Sequence, residues 1–495
     1  MDKTIVLSIF LVHLVHFTSA LAINVSDSEW FGNDDQTLSR YEQMINACLM
    51  CSKEEETEAA NNAATGSLPA TNFLDASEDI EKSDVFQMIQ RMPKGAAVHV
   101  HHKFMVHGDW LYNASFEDNL YICDNNGEFV LKFLKQPTRD CNWKSMNKMR
   151  ENPVVARALN NRIWRKMTML VKNPNRAYPN PHAAWTKLKD ISNFIDPLLT
   201  YKPVAEAHFY YGLQELYDDK VIYLELRSPI PKLYDLNGKT YNKLEVLGIL
   251  ENVTERFKED HPGFIGAKII YTRSNEKTKA EVRKFLDEAV QLKKAYPNFI
   301  AGLDFTGQDE KTPHLNPYLD DLKKVRQQMR VFFDARKAKA SDPAGDKNLL
   351  QALSLNATRI GHGYPIINDP KMLEYVKNQK SAVEICPISN QMLKYVNDIR
   401  KHPAAQLLDK GIPMVICNDD PSVWGAKALS YDFYEAFMGF MSKDADLRAL
   451  KQLAKNSIIY SSLSPEEKAQ ALAAWQKKWI EFIKEYVEEE AKKKK

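Results

Sequence analysis

The sequence predicts an α/β fold: a closed (β/α)8 barrel of the TIM type with a helical N-terminal extension and a disulfide-closed insertion. Two observations predict it. From residue 96 onward, short apolar, β-branched runs recur at 96–101, 221–226, 266–271, 299–305, 329–333, 358–360, 381–386 and 412–417. Most gaps between them carry helical periodicity, as in 277–296 and 369–380. Run after run then ends in polar side chains: His99-Val100-His101, Glu225-Leu226-Arg227, Asp304, Asp334, His362, Asn390 and Asp419-Asp420. In a parallel barrel the C-terminal strand ends build the active site, which accounts for that distribution.

The elements follow in order. Residues 1–22 read as a secretory signal: Lys3 is the basic flank, 5–17 the apolar stretch, and Thr18-Ser19-Ala20-Leu21-Ala22 the small-residue end. The apolar stretch, interrupted by His13 and His16, is shorter than the roughly 20 residues that span a bilayer. No other segment is long and apolar enough to span, so the mature chain is expected to be secreted and soluble. Residues 23–82 are polar and acidic and read as a helical extension with a flexible joint near 60–67. The barrel occupies 83–114 and 196–485. Residues 115–195 read as an insertion with its own small fold, and 486–495 as a solvated, charged helix end.

Composition narrows the function classes. Hydrophobic residues make up 44% of the 495-residue chain and charged residues 27%, which excludes a disordered or collagen-like chain. Sixty-seven basic against 65 acidic side chains give a net charge of +2, so bulk charge implies no nucleic-acid partner. Six cysteines are too few for a disulfide scaffold. Cys123 and Cys141 flank turn-forming segments at 125–127 and 136–138, and in an oxidising compartment they are the preferred bridge. Cys386 and Cys417 sit in apolar runs and read as buried thiols. Cys48 and Cys51 read as a pair on a helix of the extension. The N-x-S/T triplets at Asn24, Asn113, Asn252 and Asn356 fit glycosylation of a secreted chain.

The chemistry concentrates at two strand ends. His99 and His101 are two apart on the first strand, so they share a face and reach the barrel mouth together. A pair of neutral imidazoles at that spacing is a common grip for a divalent metal. Asp419 and Asp420 close the last strand, which neighbours the first when the barrel closes. One of the two carboxylates can complete a metal site while the other holds a bound molecule. Alone, Asp-Asp-Pro reads equally well as a solvated turn.

Longer motifs carry a resemblance. Residues 92–101 (MPKGAAVHVH), 223–227 (YLELR), 358–363 (TRIGHG), 384–390 (EICPISN), 419–421 (DDP) and 429–434 (LSYDFY) resemble, in order, those of the secreted adenosine-deaminase-related growth factors. The resemblance implies a zinc-bearing (β/α)8 barrel that hydrolyses adenosine to inosine. It also implies a homodimer formed through the N-terminal extension, and a cell-surface receptor as partner. By the same resemblance His99 and His101 are zinc ligands, Asp419 is the last-strand ligand, and His362 orients the water. Asp420 holds N7 of the purine, the Gly307 backbone approaches the base, and His314 lies on the ribose side.

The departures bear most on function. The family's fifth strand ends His-Ala-Gly-Glu, whereas this one ends Asp334-Ala335-Arg336-Lys337. Asp334 stands at the third zinc His, where a carboxylate remains an acceptable ligand. Arg336 replaces a Gly, and Lys337 replaces the Glu that protonates the purine ring. At about 5 Å and an effective dielectric near 20, an ammonium repels a dication by roughly 3 kcal/mol per charge. Loss of a general acid typically costs about 10²–10⁴ in rate. His102 stands where the growth-factor branch has Asp after its H-x-H. The expectation is a nucleoside-binding or growth-factor-like protein with weakened or lost zinc and little hydrolysis. The alternative is a working zinc-dependent adenosine deaminase.

Overall fold

The computed structural model describes residues 37–62, 66–125, 128–273, 278–305, 316–335, 349 and 353–493. The signal segment and the Asn24 triplet lie outside them.

Eight parallel strands form one curled sheet: β1 (Gly95–His101), β2 (Val221–Ser228), β3 (Gly266–Arg273), β4 (Ile300–Phe305), β5 (Arg330–Asp334), β6 (Arg359–Gly361), β7 (Ala382–Ile385) and β8 (Met414–Ile416). Each matches one of the apolar runs. Neighbours in sequence are neighbours in space, as repeated βαβ units require. All eight residues of β2 are buried, the pattern of a parallel strand covered on both faces. The barrel closes just beyond β8: His101 N–H donates to the Asp419 carbonyl at 2.9 Å, and Asp419 N–H donates to the His99 carbonyl at 3.1 Å. Capping boxes start two of the outer helices, Asn242 with Glu245 and Thr278 with Glu281.

The N-terminal extension is helical over Arg40–Asn62. Tyr41, Ile45 and Leu49, spaced four apart, are buried on one face. They pack towards the helices Leu447–Ile459 and Pro465–Lys493. Glu42 is fully buried and accepts from Lys451 Nζ and Trp479 Nε1, each at 2.8 Å. Lys53 Nζ donates to the carbonyls of Ser442 and Ala445 at 3.0 and 2.9 Å.

After β1 the chain forms a three-stranded antiparallel sheet from Leu120–Asn125, Glu128–Phe133 and Lys144–Ser145. The helix Pro181–Leu199 packs on the strand Glu128–Phe133. A disulfide joins Cys123 to Cys141, with Cα atoms 6.3 Å apart. Cys386 and Cys417 are buried free thiols, and Cys48 and Cys51 are half-buried on the extension helix. Asn113, Asn252 and Asn356 are all exposed. Among the described residues no helix is long and apolar enough to cross a membrane. The last helix, Pro465–Lys493, takes in most of the expected charged tail.

Candidate active site

The site lies at the C-terminal end of the barrel, where β1 meets the segment after β8. Asp419 is its hub. Its Oδ1 lies 2.9 Å from His101 Nε2 and 3.4 Å from His99 Nε2. Its Oδ2 accepts from Ser389 Oγ at 2.6 Å and lies 3.9 Å from His362 Nε2. Asp334, at the end of β5, brings Oδ1 to 3.2 Å from His362 Nε2. His362 and Asp419 both adopt left-handed backbone, each with φ of 57°. Non-glycine residues rarely do so, and such strain gathers where a fold must aim a side chain.

Two groups of metal-compatible side chains result, each with ligand atoms within 4.8 Å of one another: His99, His362, Cys386 and Asp419; and His101, Asp419 and Asp420. Three observations test whether these residues fit a metal. His99 Nε2 is buried and makes no hydrogen bond among the described residues. Gly361 leaves a space that a side chain would fill: a Cβ there would meet Asp334 Oδ1 at 3.1 Å and His99 Cε1 at 3.3 Å. Finally, burial and Arg227 pull the His99 imidazole down, yet Asp419 and Glu384 push it up to about 10. Asp419 and Glu384 thus make the surroundings of His99 favourable to a cation. Two imidazoles and a carboxylate form a donor set that suits zinc, so the residues present fit a divalent metal.

Beneath the mouth lies a buried ion network. Glu384 Oε2 is 2.7 Å from His99 Nδ1 and accepts from Arg227 Nη2 at 2.8 Å, while its Oε1 accepts from Arg359 Nε at 2.6 Å. Arg227 Nε also donates to Asp304 Oδ2 at 2.8 Å, and Arg359 pairs with Glu225. Burial favours the neutral Glu384 acid, but Arg227, Arg359 and His99 hold it well below the usual carboxylate range. A carboxylate on the far nitrogen of a metal-binding His fixes its ring and tautomer.

The structure brings His99, His101, His362, Asp334, Asp419 and Asp420 to one place. Gly307, His314, Arg336 and Lys337 lie outside the described residues. Glu225, Arg227 and Asp304 end apolar runs as the sequence reading noted, but they form the floor network rather than the mouth. Their charges are paired inside the barrel, and that pairing leaves the same signature in sequence as a functional strand end. Asn390 lies in the short helix Pro387–Met392, not on a strand. Sequence reasoning missed Glu384 as the partner of His99, Ser389 as the donor to Asp419, and Cys386 as a member of the metal-compatible group. A charged residue inside the apolar run of β7 was the available signal for Glu384.

The parallel barrel thus carries H-x-H on its first strand and paired aspartates after its last. The family described as Adenosine deaminase matches residues 175–478. Adenosine deaminase 2 of Sus scrofa is 39% identical over 460 residues, covering 90% of each chain. Adenosine deaminase 2 of Homo sapiens is 36% identical over 455 residues, covering 90% of this chain and 89% of that one. A solved Arabidopsis N6-mAMP deaminase superposes with a TM-score of 0.57 at 15% identity, covering 79% of this chain and 99% of that one, which shows shared fold. The chain belongs to the adenosine deaminase family, in the branch of the adenosine-deaminase-related growth factors.

Proposed function

We propose that this chain is a secreted, growth-factor-like member of the family that binds adenosine or a related purine nucleoside and hydrolyses it poorly. One observation carries the reading: β5 delivers Asp334, 3.2 Å from His362, and is followed by Arg336 and Lys337 where the family has Gly and Glu. His99, His101 and Asp419, with Asp334 as the fourth group, would hold a zinc ion. When bound, that ion would supply Lewis acidity and a water of lowered pKa. His362 faces the same space and orients an oxygen there. Asp420 is the group for purine N7, with the Gly307 backbone and His314 completing the nucleoside pocket by resemblance.

The missing function is proton delivery. A neutral carboxylic acid donates to a ring nitrogen and then rests as a carboxylate beside a cation. A lysine at that position starts as a cation and is repelled by the metal. The guanidinium of Arg336 adds a second positive charge. The retained cluster of His99, His101 and Asp419 favours a second reading, an active adenosine deaminase acting outside the cell.

The signal segment, the four triplets and the Cys123–Cys141 bridge support secretion. Homodimerisation through 23–82 and recognition by a cell-surface receptor are the partner readings that the family implies. Equilibrium dialysis with adenosine, followed by product analysis of the same solution, tests the reading. Bound adenosine recovered unchanged supports it. Failure to bind any purine nucleoside refutes it, and rapid conversion to inosine selects the second reading.

A further inference from the structure

We propose that His402 is a positioning residue that acts through Asn390 to keep the proton of His362 on Nε2, facing the site. The inference rests on His362 meeting the bound molecule, but its evidence is a chain of hydrogen bonds that begins at the backbone.

The helix Ala404–Asp409 starts just after Pro403, and the N–H of Ala404 lies 3.0 Å from His402 Nδ1. A main-chain N–H can only donate, so His402 Nδ1 must accept and carries no proton. His402 is buried, and desolvation holds its imidazole down at about 3, so the ring is neutral. Its single proton therefore sits on Nε2. That nitrogen lies 3.0 Å from Asn390 Oδ1 and 3.2 Å from Tyr364 Oη. Because Nε2 donates, the amide atom of Asn390 facing it must be the oxygen. The amide NH2 then faces His362 Nδ1, at 2.9 Å. His362 Nδ1 accepts in turn, which leaves the His362 proton on Nε2, 3.2 Å from Asp334 Oδ1. A donor that cannot be reversed, the Ala404 N–H, thus sets both the Asn390 amide orientation and the His362 tautomer.

The consequence is chemical. His362 belongs by position to the group with His99, Cys386 and Asp419. With its proton on Nε2, it has no lone pair to give a metal there. It is a donor aimed at an acceptor oxygen, whether a water, a hydroxyl of a bound molecule or the Asp334 carboxylate. The relay thus separates a donor from the ligands within one cluster of imidazoles.

Selective ¹⁵N-histidine labelling of the full-length protein, with long-range ¹H–¹⁵N correlation, reads the tautomer directly and does not depend on turnover or metal loading. Comparison with His362→Gln assigns the resonance. The wild type is expected to show Nε2–H at His362. Asn390→Asp offers only acceptor oxygens, so it should reverse His362 to Nδ1–H. His402→Leu should lose the single tautomer, whereas His402→Gln, whose amide can still donate to Asn390, should retain it. Nδ1–H in the wild type, an unchanged tautomer in Asn390→Asp, or an unchanged tautomer in a folded His402→Leu variant would each overturn the proposal. If His402→Leu does not fold, the wild-type and Asn390→Asp spectra still decide it.

Discussion

Glu384 Oε2 lies 2.7 Å from His99 Nδ1, and both side chains are fully buried. That contact joins the charged floor of the barrel to its mouth, because the same oxygen also accepts from Arg227. Glu384→Gln should therefore act twice. Loss of the carboxylate behind a metal-binding His typically costs 10–100-fold in affinity. Removing one partner from a buried ion network costs about 3–5 kcal/mol. Zinc competition with a chelator and urea unfolding read the two effects separately.

Reversion should be cooperative. Lys337→Glu alone is expected to restore little, because Asp334 and Arg336 remain. Asp334→His, Arg336→Gly and Lys337→Glu together should recover zinc and measurable conversion of adenosine. Metal content and inosine formation on the same preparations check this.

Gly361 should not tolerate a side chain. A Cβ there would approach Asp334 and His99 to 3.1 and 3.3 Å, so both would have to shift. Gly361→Ala is expected to cost about 1–3 kcal/mol through overpacking and to lower zinc affinity. Thermal unfolding with and without zinc should show a smaller metal-induced rise in Tm than in the wild type.

Stability should fall towards acid for a nameable reason. His208 is fully buried, its ring nitrogens make no hydrogen bonds among the described residues, and desolvation then His102 hold its pKa well below the ordinary value. The unfolded chain takes up that proton below about pH 6.5. The folded chain does not, so stability rises with pH across this range and is lost as pH falls. His208→Phe should flatten the acid limb of a stability–pH curve measured by urea unfolding.

Glu435 has the opposite sign. Burial raises its carboxyl to about 8, and neither oxygen makes a hydrogen bond among the described residues. Its contribution is fully present below the unfolded value near 4.5 and is lost as pH rises through about 8. Glu435→Gln should therefore gain stability relative to the wild type above pH 8. The same urea series at pH 6 and pH 9 checks it.

Much of this architecture was legible in the sequence because parallel strands buried on both faces leave predominantly apolar runs. The eight runs became eight strands, and Cys123 and Cys141 pair. His99, His101, Asp419 and Asp420 could be placed together because H-x-H shares a face and a closed barrel brings its last strand beside its first. The floor network was harder to read. Glu225, Arg227 and Asp304 end their runs just as His101 and Asp334 do, and only the three-dimensional pairing with Glu384 and Arg359 tells a buried ion pair from a reactive group. The His402–Asn390–His362 relay was hidden for another reason: its members are 28 and 12 residues apart, and no periodicity links a strand end to a short helix and the turn before another.

On the proposed reading, changes at the end of β5 disable hydrolysis in a barrel that keeps most of its metal-compatible groups. Zinc content and initial rate of inosine formation, measured on one sample of the wild-type protein, decide it. Less than one zinc per chain is expected, with a rate far below the ordinary enzyme range of roughly 1–10³ per second. One zinc per chain with turnover inside that range would contradict it.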